Sequence, residues 1–321
     1  MTTGGPDDSR LSKNQRREAA REKAKQLREQ QRKKDVRNRV ILISSLSVVV
    51  LAIVVGVTLV ITSTLKPAGP GPQNMASDGI VIGTGFEAVT TPALDAGEDP
   101  TPTVNDPASG VVDIRMYVDY LCPFCGQFET TNNTQIGEWV QSGAATVEIH
   151  PLSILDRGSL GTKYSTRSAN AAACVANYSP NQFWAFNGLL YSNQPAENTE
   201  GLDNDKLKSL TTEAGVTEQD AINTCIDDTE FKGWVADATS RALQGPLPDT
   251  DETAVTGTPT VLVNGEKYTG SLTDPDAFSA FVVQVAGEAY DTSTASPTPT
   301  PSASPSSTPA PESTPESTPA G

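Results

Sequence analysis

Two cysteines two residues apart, Cys122 and Cys125, are the side chains of this sequence most suited to chemistry. They lie in "DYLCPFCGQF", after an apolar run and at the expected start of a helix. A thiol reacts as its thiolate, which the unpaired N–H groups and the dipole of a helix N-terminus favour. Pro123 suits the first helical position because it fixes φ and lacks an N–H. The spacing therefore predicts a redox disulfide, with Cys122 as the exposed attacking sulfur and Cys125 one turn further into the helix.

Other interpretations of the pair need other partners. A zinc half-site would need two more soft ligands at a matched spacing. The remaining cysteines, Cys174 and Cys225, lie 51 residues apart, and His150 is the only histidine. We therefore predict no metal site and assign His150 a structural role. A purely structural Cys122–Cys125 disulfide, in a membrane-tethered peptide-binding module without catalysis, stays open as an alternative.

The charge of the chain is divided by one apolar segment. Residues 1–39 hold 13 basic and 6 acidic residues, a charge of +7, whereas the rest holds 10 basic and 33 acidic residues, a charge of −23. Between them, Val40 to Ile61 are 22 residues without a charge, enough for a helix of roughly 33 Å. The positive-inside rule predicts a single-pass protein of the cell membrane with residues 1–39 in the cytoplasm and the main domain outside. A cleaved signal peptide fits less well, because the basic and apolar regions are both too long.

The segments after the apolar run differ in composition. Residues 62–74 are a Pro/Gly-containing linker, residues 75–290 carry the periodic patterns of a globular domain, and residues 291–321 hold 8 prolines among Ser, Thr and Ala. We expect this tail to be extended and disordered. The acidic exterior excludes nucleic acid as a partner of the main domain.

The order of elements in the main domain predicts a mixed α/β fold. "GIVIGTGFEAV" reads as a small hairpin, and "VVDIRMYVDYL" and "ATVEIHPLSIL" read as two strands around the CPFC helix. The pattern is helical, with about five helices, over residues 162–245. "GTPTVLVNGEKYTG" then contains Asn264-Gly265, a type I′ hairpin signal, and a helix capped by Asp274 follows. The flanking parts predict a four-stranded mixed sheet, a thioredoxin fold with a helical insert.

Two motifs together carry a more specific resemblance. "DYLCPFCGQF", followed about 130 residues later by "GTPTVLVNG", resembles the thioredoxin superfamily and, within it, the DsbA-like disulfide oxidoreductases. The stretch from "IHPLSILDRG" to "LLYSNQPAE" is similar to membrane-anchored DsbA-like proteins of actinobacteria, and the likeness covers residues 75–290. The resemblance implies an extracytoplasmic protein-disulfide oxidoreductase that acts on exported proteins with cysteines. It implies no metal or organic cofactor, and reoxidation by a quinone-linked membrane partner, DsbB-like or vitamin K epoxide reductase-like.

The resemblance also assigns a role to Thr258 and Pro259. It implies a cis-proline loop facing the CxxC turn, since X-Pro is the bond that accepts cis readily. We expect the backbone N–H and C=O of Thr258 to be unpaired, ready to bind an incoming chain as an added strand.

The sequence departs from the family pattern at two positions. Phe124 stands where the best-known DsbA proteins carry a histidine, so we expect a less oxidising pair, and a reductase or isomerase stays open. Met116 stands six residues before Cys122, where many relatives place a buried acid. Proton transfer must then use water or another carboxylate. Asp119 and Glu129 are nearby, but we expect either to be a solvated charge.

The four cysteines all follow the apolar segment, on the side where disulfides persist. An even count suggests two bridges, and the simplest of three pairings joins Cys122 to Cys125 and Cys174 to Cys225. The second bridge would be structural, linking two helices of the insert.

Overall fold

The computed structural model describes residues 69–294 except 105, 107 and 108, together with isolated positions between 21 and 34. The chain divides into two compact units, Met1–Pro67 and Ala68–Gly321, and the described positions of the first are helical. Within the described residues, no helix combines the length and apolarity needed to cross a membrane. The predicted transmembrane helix at 40–61 and the tail from residue 295 onward lie outside the described residues.

The second unit is built on a five-stranded mixed sheet. Its strands are β1 (Ile80–Ile82), β2 (Val112–Val118), β3 (Ala145–Pro151), β4 (Thr260–Val263) and β5 (Glu266–Lys267), in the spatial order β1-β3-β2-β4-β5. Strands β2 and β3 are parallel, as the strand–helix–strand pattern predicts, and the other three pairings are antiparallel. The thioredoxin-type α/β fold is therefore confirmed.

The prediction of four strands is wrong by one, because β1 joins the sheet. It pairs along its whole length with β3, and the predicted hairpin around Gly83–Gly85 is reduced to one bridge between Ile82 and Ala88. The residues between them form a 3-10 turn, Thr84–Phe86. The three residues of β1 form their hydrogen bonds with β3, which is distant in sequence, so the local pattern of residues does not predict this pairing.

The described part of the second unit also contains seven α-helices. They are α1 (Pro123–Ser142), α2 (Tyr164–Tyr178), α3 (Phe183–Ser192), α4 (Asn204–Glu213), α5 (Gln219–Asp228), α6 (Lys232–Gln244) and α7 (Pro275–Thr294). Helices α2 to α6 form the insert between β3 and β4, which confirms the predicted block of five. Helix α7 continues past residue 290 into the predicted tail, since the first helix-breaking proline is Pro297.

Strand β2 is buried on both faces. Ile114, Met116 and Val118 belong to the large core shared with α1 and the insert, whereas Tyr117 belongs to a second apolar cluster on the opposite face. This alternation places the end of β2, and the cysteine turn that follows it, between two packed layers.

The β4–β5 turn has the predicted type I′ geometry. Asn264 and Gly265 have φ of 47° and 87°, and Val263 pairs with Glu266 across the turn. Positive φ at both central residues defines this turn, and Asn-Gly tolerates it best. The turn holds β4, and the loop that precedes it, against β2.

Candidate active site

The turn from β2 into α1 places Cys122 at the start of the helix. The amide of Cys122 donates to the carbonyl of Asp119 at 3.0 Å, and Cys122 is the N-cap residue, with Pro123 in the first helical turn. The Cys122 carbonyl accepts the amide of Gly126 at 3.1 Å, the first hydrogen bond of the helix. The sulfur therefore lies among N–H groups that have no helical partner.

The two thiols are reduced in this structure and differ strongly in acidity. The pKa of Cys122 is lowered to about 6, chiefly by the hydrogen bond from Cys125 and further by the side chain of Thr258 and the backbone N–H groups of Cys125 and Phe124, against the opposing effect of burial. Burial raises the pKa of Cys125 well above its ordinary value, and the negative charge and hydrogen bonding of Cys122 add to that. The pair thus combines a thiolate at neutral pH with a protonated partner.

The prediction that the Cys122 sulfur is exposed is wrong, because little of this residue is accessible to solvent. Cys122 is only 4 % exposed and Cys125 2 % exposed. The cause is the loop before β4, because its Thr258 carbonyl lies 3.1 Å from the Cys122 sulfur and accepts a hydrogen bond from the protonated thiol. A partner sulfur must therefore approach past Thr258 and Pro259.

The Thr258–Pro259 loop has the geometry that the resemblance implies. The peptide bond between the two residues is cis, and both are half-buried beside the cysteine turn. The Thr260 hydroxyl donates to the carbonyl of Gly257 at 2.8 Å and closes the loop. The expectation that both backbone groups of Thr258 are unpaired is wrong for the carbonyl, which accepts from Cys122.

Phe124, between the two cysteines, is 57 % exposed. Its ring lies on the surface beside the nearly buried sulfurs, and only its backbone N–H acts on the Cys122 pKa. The low pKa of Cys122 therefore arises without a side-chain cation in the CPFC turn.

The expectation that Asp119 is solvated is wrong. Asp119 is fully buried, and its carboxylate accepts from the amides of Leu121 and Leu155 and from the hydroxyl of Ser165, each within 2.9 Å. Burial raises its pKa, and these hydrogen bonds oppose the rise. Asp119 fixes the backbone that leads into Cys122, because it ties that turn to the β3–α2 connection and to α2.

Glu129 is also buried, and the same expectation is wrong for it. It lies one turn after Cys125 on α1 and is 5 % exposed. The Asn187 amide donates to its Oε1 at 2.8 Å, while the Tyr120 hydroxyl donates to the Asn187 Oδ1 at 3.1 Å. Burial raises the pKa of Glu129 to about 7, with Asn187 opposing the rise. The i,i+4 spacing from Cys125 was the available signal, since it places both side chains on one helix face.

The remaining predicted residues lie away from the turn. Cys174 in α2 and Cys225 in α5 form a disulfide that links two insert helices. The ring of His150 stacks on Tyr117 with centroids 4.4 Å apart, and its Nε2 lies 3.4 Å from the Glu148 carboxylate. His150 therefore packs on the sheet face opposite Met116 and does not face the cysteines.

The Thioredoxin family model matches residues 105–283 of the chain. Because this match spans more than half of the sequence, the chain belongs to this thioredoxin family. No protein with a curated description matches it.

Solved structures similar to the chain carry names of disulfide enzymes. Oxidised DsbA from Mycobacterium tuberculosis is 31% identical, with 67% of this chain and 100% of the other covered and a TM-score of 0.48. The disulfide bond oxidoreductase DsbG from the same organism is 31% identical over 58% of this chain and 86% of the other, with a TM-score of 0.45. MdbA from Corynebacterium diphtheriae is 19% identical over 68% and 94%, with a TM-score of 0.46.

Proposed function

We propose that the protein is an extracytoplasmic thiol-disulfide oxidoreductase that introduces disulfides into exported proteins through Cys122 and Cys125. One observation carries the proposal. The sulfur of Cys122, with its pKa lowered to about 6, lies at a helix N-terminus and 3.1 Å from the carbonyl of Thr258. A structural disulfide needs neither an acidic thiol nor a neighbouring loop that can present a chain to it.

The reaction begins from the Cys122–Cys125 disulfide. A client thiolate attacks the sulfur of Cys122, a client–Cys122 bond forms, and the bond to Cys125 breaks. Cys125 leaves with the electron pair and takes a proton, as its raised pKa favours. A second client thiolate then attacks the client sulfur and expels Cys122 as a thiolate. The client has lost two electrons to the pair, which is left reduced.

The low pKa of Cys122 favours the oxidase direction. A thiolate that is stable at neutral pH stabilises the reduced pair, and this makes the disulfide the stronger oxidant. Reoxidation then requires an electron acceptor, for which we propose a quinone-linked membrane partner, DsbB-like or vitamin K epoxide reductase-like. The predicted transmembrane helix at 40–61 would hold the domain beside that partner, and the Cys174–Cys225 disulfide is consistent with an oxidising compartment.

A reductase or isomerase is the second candidate, and Phe124 favours it. This residue brings no cation or hydrogen-bond donor to the thiolate through its side chain. Measuring the potential of the Cys122–Cys125 pair against glutathione separates the two. A value of about −120 mV supports the oxidase, and one of about −270 mV supports the reductase.

A cysteine trap tests the activity itself. In the full chain, Cys125→Ser leaves a mixed disulfide on Cys122 without its resolving thiol. We expect adducts with exported cysteine-containing proteins, separable by reduction on a gel. The matched control, Cys122→Ser with Cys125 intact, should form few adducts, because the raised pKa of Cys125 keeps its thiol protonated. If neither variant forms adducts, the proposal is refuted, and the non-catalytic peptide-binding module becomes the favoured interpretation.

A further inference from the structure

Gln194 reaches from the helical insert onto the cysteine turn. It lies two residues beyond the end of α3, where its own amide donates to the carbonyl of Tyr191 at 3.1 Å. Its side-chain Nε2 donates to the carbonyl of Tyr120 at 3.1 Å and to that of Cys122 at 2.9 Å. One amide group therefore bridges two main-chain carbonyls on either side of Leu121, within the turn that carries the reactive sulfur.

The fit of Gln194 depends on a glycine after the second cysteine. A Cβ at Gly126 would clash with the Gln194 Oε1, so any other residue there displaces the Gln194 side chain. The Cys122 carbonyl that Gln194 binds is also the acceptor of the first helical amide, that of Gly126. Gln194 thus holds the same peptide group that starts α1.

Two side chains of this part of the insert reach the residues around the cysteine turn, Asn187 from within α3 and Gln194 from just beyond its end. Asn187 joins Glu129 to the Tyr120 hydroxyl, and Gln194 joins the Tyr120 carbonyl to Cys122. These side chains come from the insert, between β3 and β4, and bind the junction of β2 and α1.

We propose that Gln194 is a positioning residue, through which the helical insert keeps the first turn of α1 in the orientation that makes Cys122 reactive. This inference rests on the proposed function of the cysteine pair. The backbone N–H groups of Phe124 and Cys125 interact with the Cys122 sulfur. Their direction depends on the peptide of Cys122, which Gln194 fixes through the carbonyl. Without that bond the turn has more freedom, and the N–H groups stabilise the thiolate less.

The test compares full-length variants. Gln194→Met keeps the length of the side chain and removes the donor, and Gly126→Ala displaces Gln194 without changing it. Asn193→Ala is the matched control, because among the described residues the Asn193 side-chain amide donates to one acceptor, the carbonyl of Leu189 in the preceding turn, at 3.0 Å. Thiolate absorbance is followed against pH, the equilibrium with glutathione gives the redox potential, and denaturant gives the stability.

We expect both Gln194→Met and Gly126→Ala to raise the titration midpoint of Cys122. A rise of about one pH unit corresponds to a roughly tenfold smaller ionisation constant, and we expect the redox equilibrium to shift toward the oxidised protein in both. Asn193→Ala should leave both readouts at the wild-type values. A merely structural role would lower stability without moving the midpoint or the potential.

The inference is overturned if the wild-type chain exchanges with glutathione and Gln194→Met has the same Cys122 titration midpoint and the same redox potential as wild type. A shift in Gly126→Ala alone would overturn it as well, since the effect would then belong to the helix and not to Gln194. A wild-type chain that fails to exchange at all would overturn the proposed function, and this inference with it.

Discussion

Replacing Glu129 with glutamine should stabilise the protein at alkaline pH and leave it nearly unchanged at acid pH. Burial raises the pKa of Glu129 from 4.5 to about 7. Below pH 4.5 Glu129 holds its proton in both the folded and the unfolded chain, so it does not change the free energy of unfolding. As the pH rises from 4.5 through 7, the unfolded chain releases the proton first, so the free energy of unfolding falls.

The magnitude follows from the size of that shift. At about 1.36 kcal/mol for each pKa unit, ionised Glu129 costs the folded state roughly 3 kcal/mol at pH 8. Glu129→Gln removes the charge and keeps an oxygen that can accept from Asn187, so the hydrogen bond at 2.8 Å is retained. We expect a gain of roughly 3 kcal/mol at pH 8 and well under about 1 kcal/mol at pH 4.5.

The assay is denaturant unfolding of the reduced protein at both pH values. Glu138→Gln is the matched control, because Glu138 lies on the same helix and is exposed. It should give the same small change at both pH values. If Glu129→Gln destabilises the protein at pH 8, or gains as much at pH 4.5, then Glu129 is not a buried acid and the reasoning fails.

Three more outcomes can be measured. With the Cys122 pKa at about 6, thiolate absorbance of the reduced chain should be about nine-tenths developed at pH 7; a midpoint near 8.5 would contradict the site geometry. Removing the Cys174–Cys225 disulfide by paired alanine substitutions opens a loop with a sequence separation of 51 and should cost roughly 4 kcal/mol. Disulfide exchange at Cys122 should continue in that variant, and its loss would show that the bridge takes part in the chemistry. Glu148→Gln leaves the buried guanidinium of Arg115 without the carboxylate that lies 2.8 Å from its Nε. It should lower the unfolding free energy by about 3–5 kcal/mol, and a cost below about 1 kcal/mol would contradict the burial of that pair.

The sequence was most informative where a local pattern determines the geometry. Pro123 after Cys122 predicts a helix N-terminus, and Asn264-Gly265 predicts a type I′ turn, because each pattern requires backbone angles that few other residues adopt. The motif at Thr258-Pro259 pointed to the loop beside the cysteines through resemblance and not through periodicity.

The features that sequence reasoning missed depend on contacts between distant residues. The local sequence predicts Asp119 and Glu129 as surface charges. Their buried hydrogen-bond partners are distant along the chain: Ser165 lies 46 residues from Asp119, and Asn187 lies 58 residues from Glu129. Gln194 carries no motif, and its partners lie 72 and 74 residues earlier. The local pattern predicts β1 as half of a hairpin, because its partner β3 is remote in sequence. Contacts between residues that are distant in sequence cannot be predicted from the local composition.

The two halves of the reactive centre are far apart in the order of synthesis. The sulfur of Cys122 and the Thr258 carbonyl that it faces are separated by 136 residues, with the whole insert between them. During synthesis the chain therefore has its cysteines before it has the strand that shelters them. The loop at Thr258 and Pro259 can cover the cysteine turn only once β4 has taken its place beside β2.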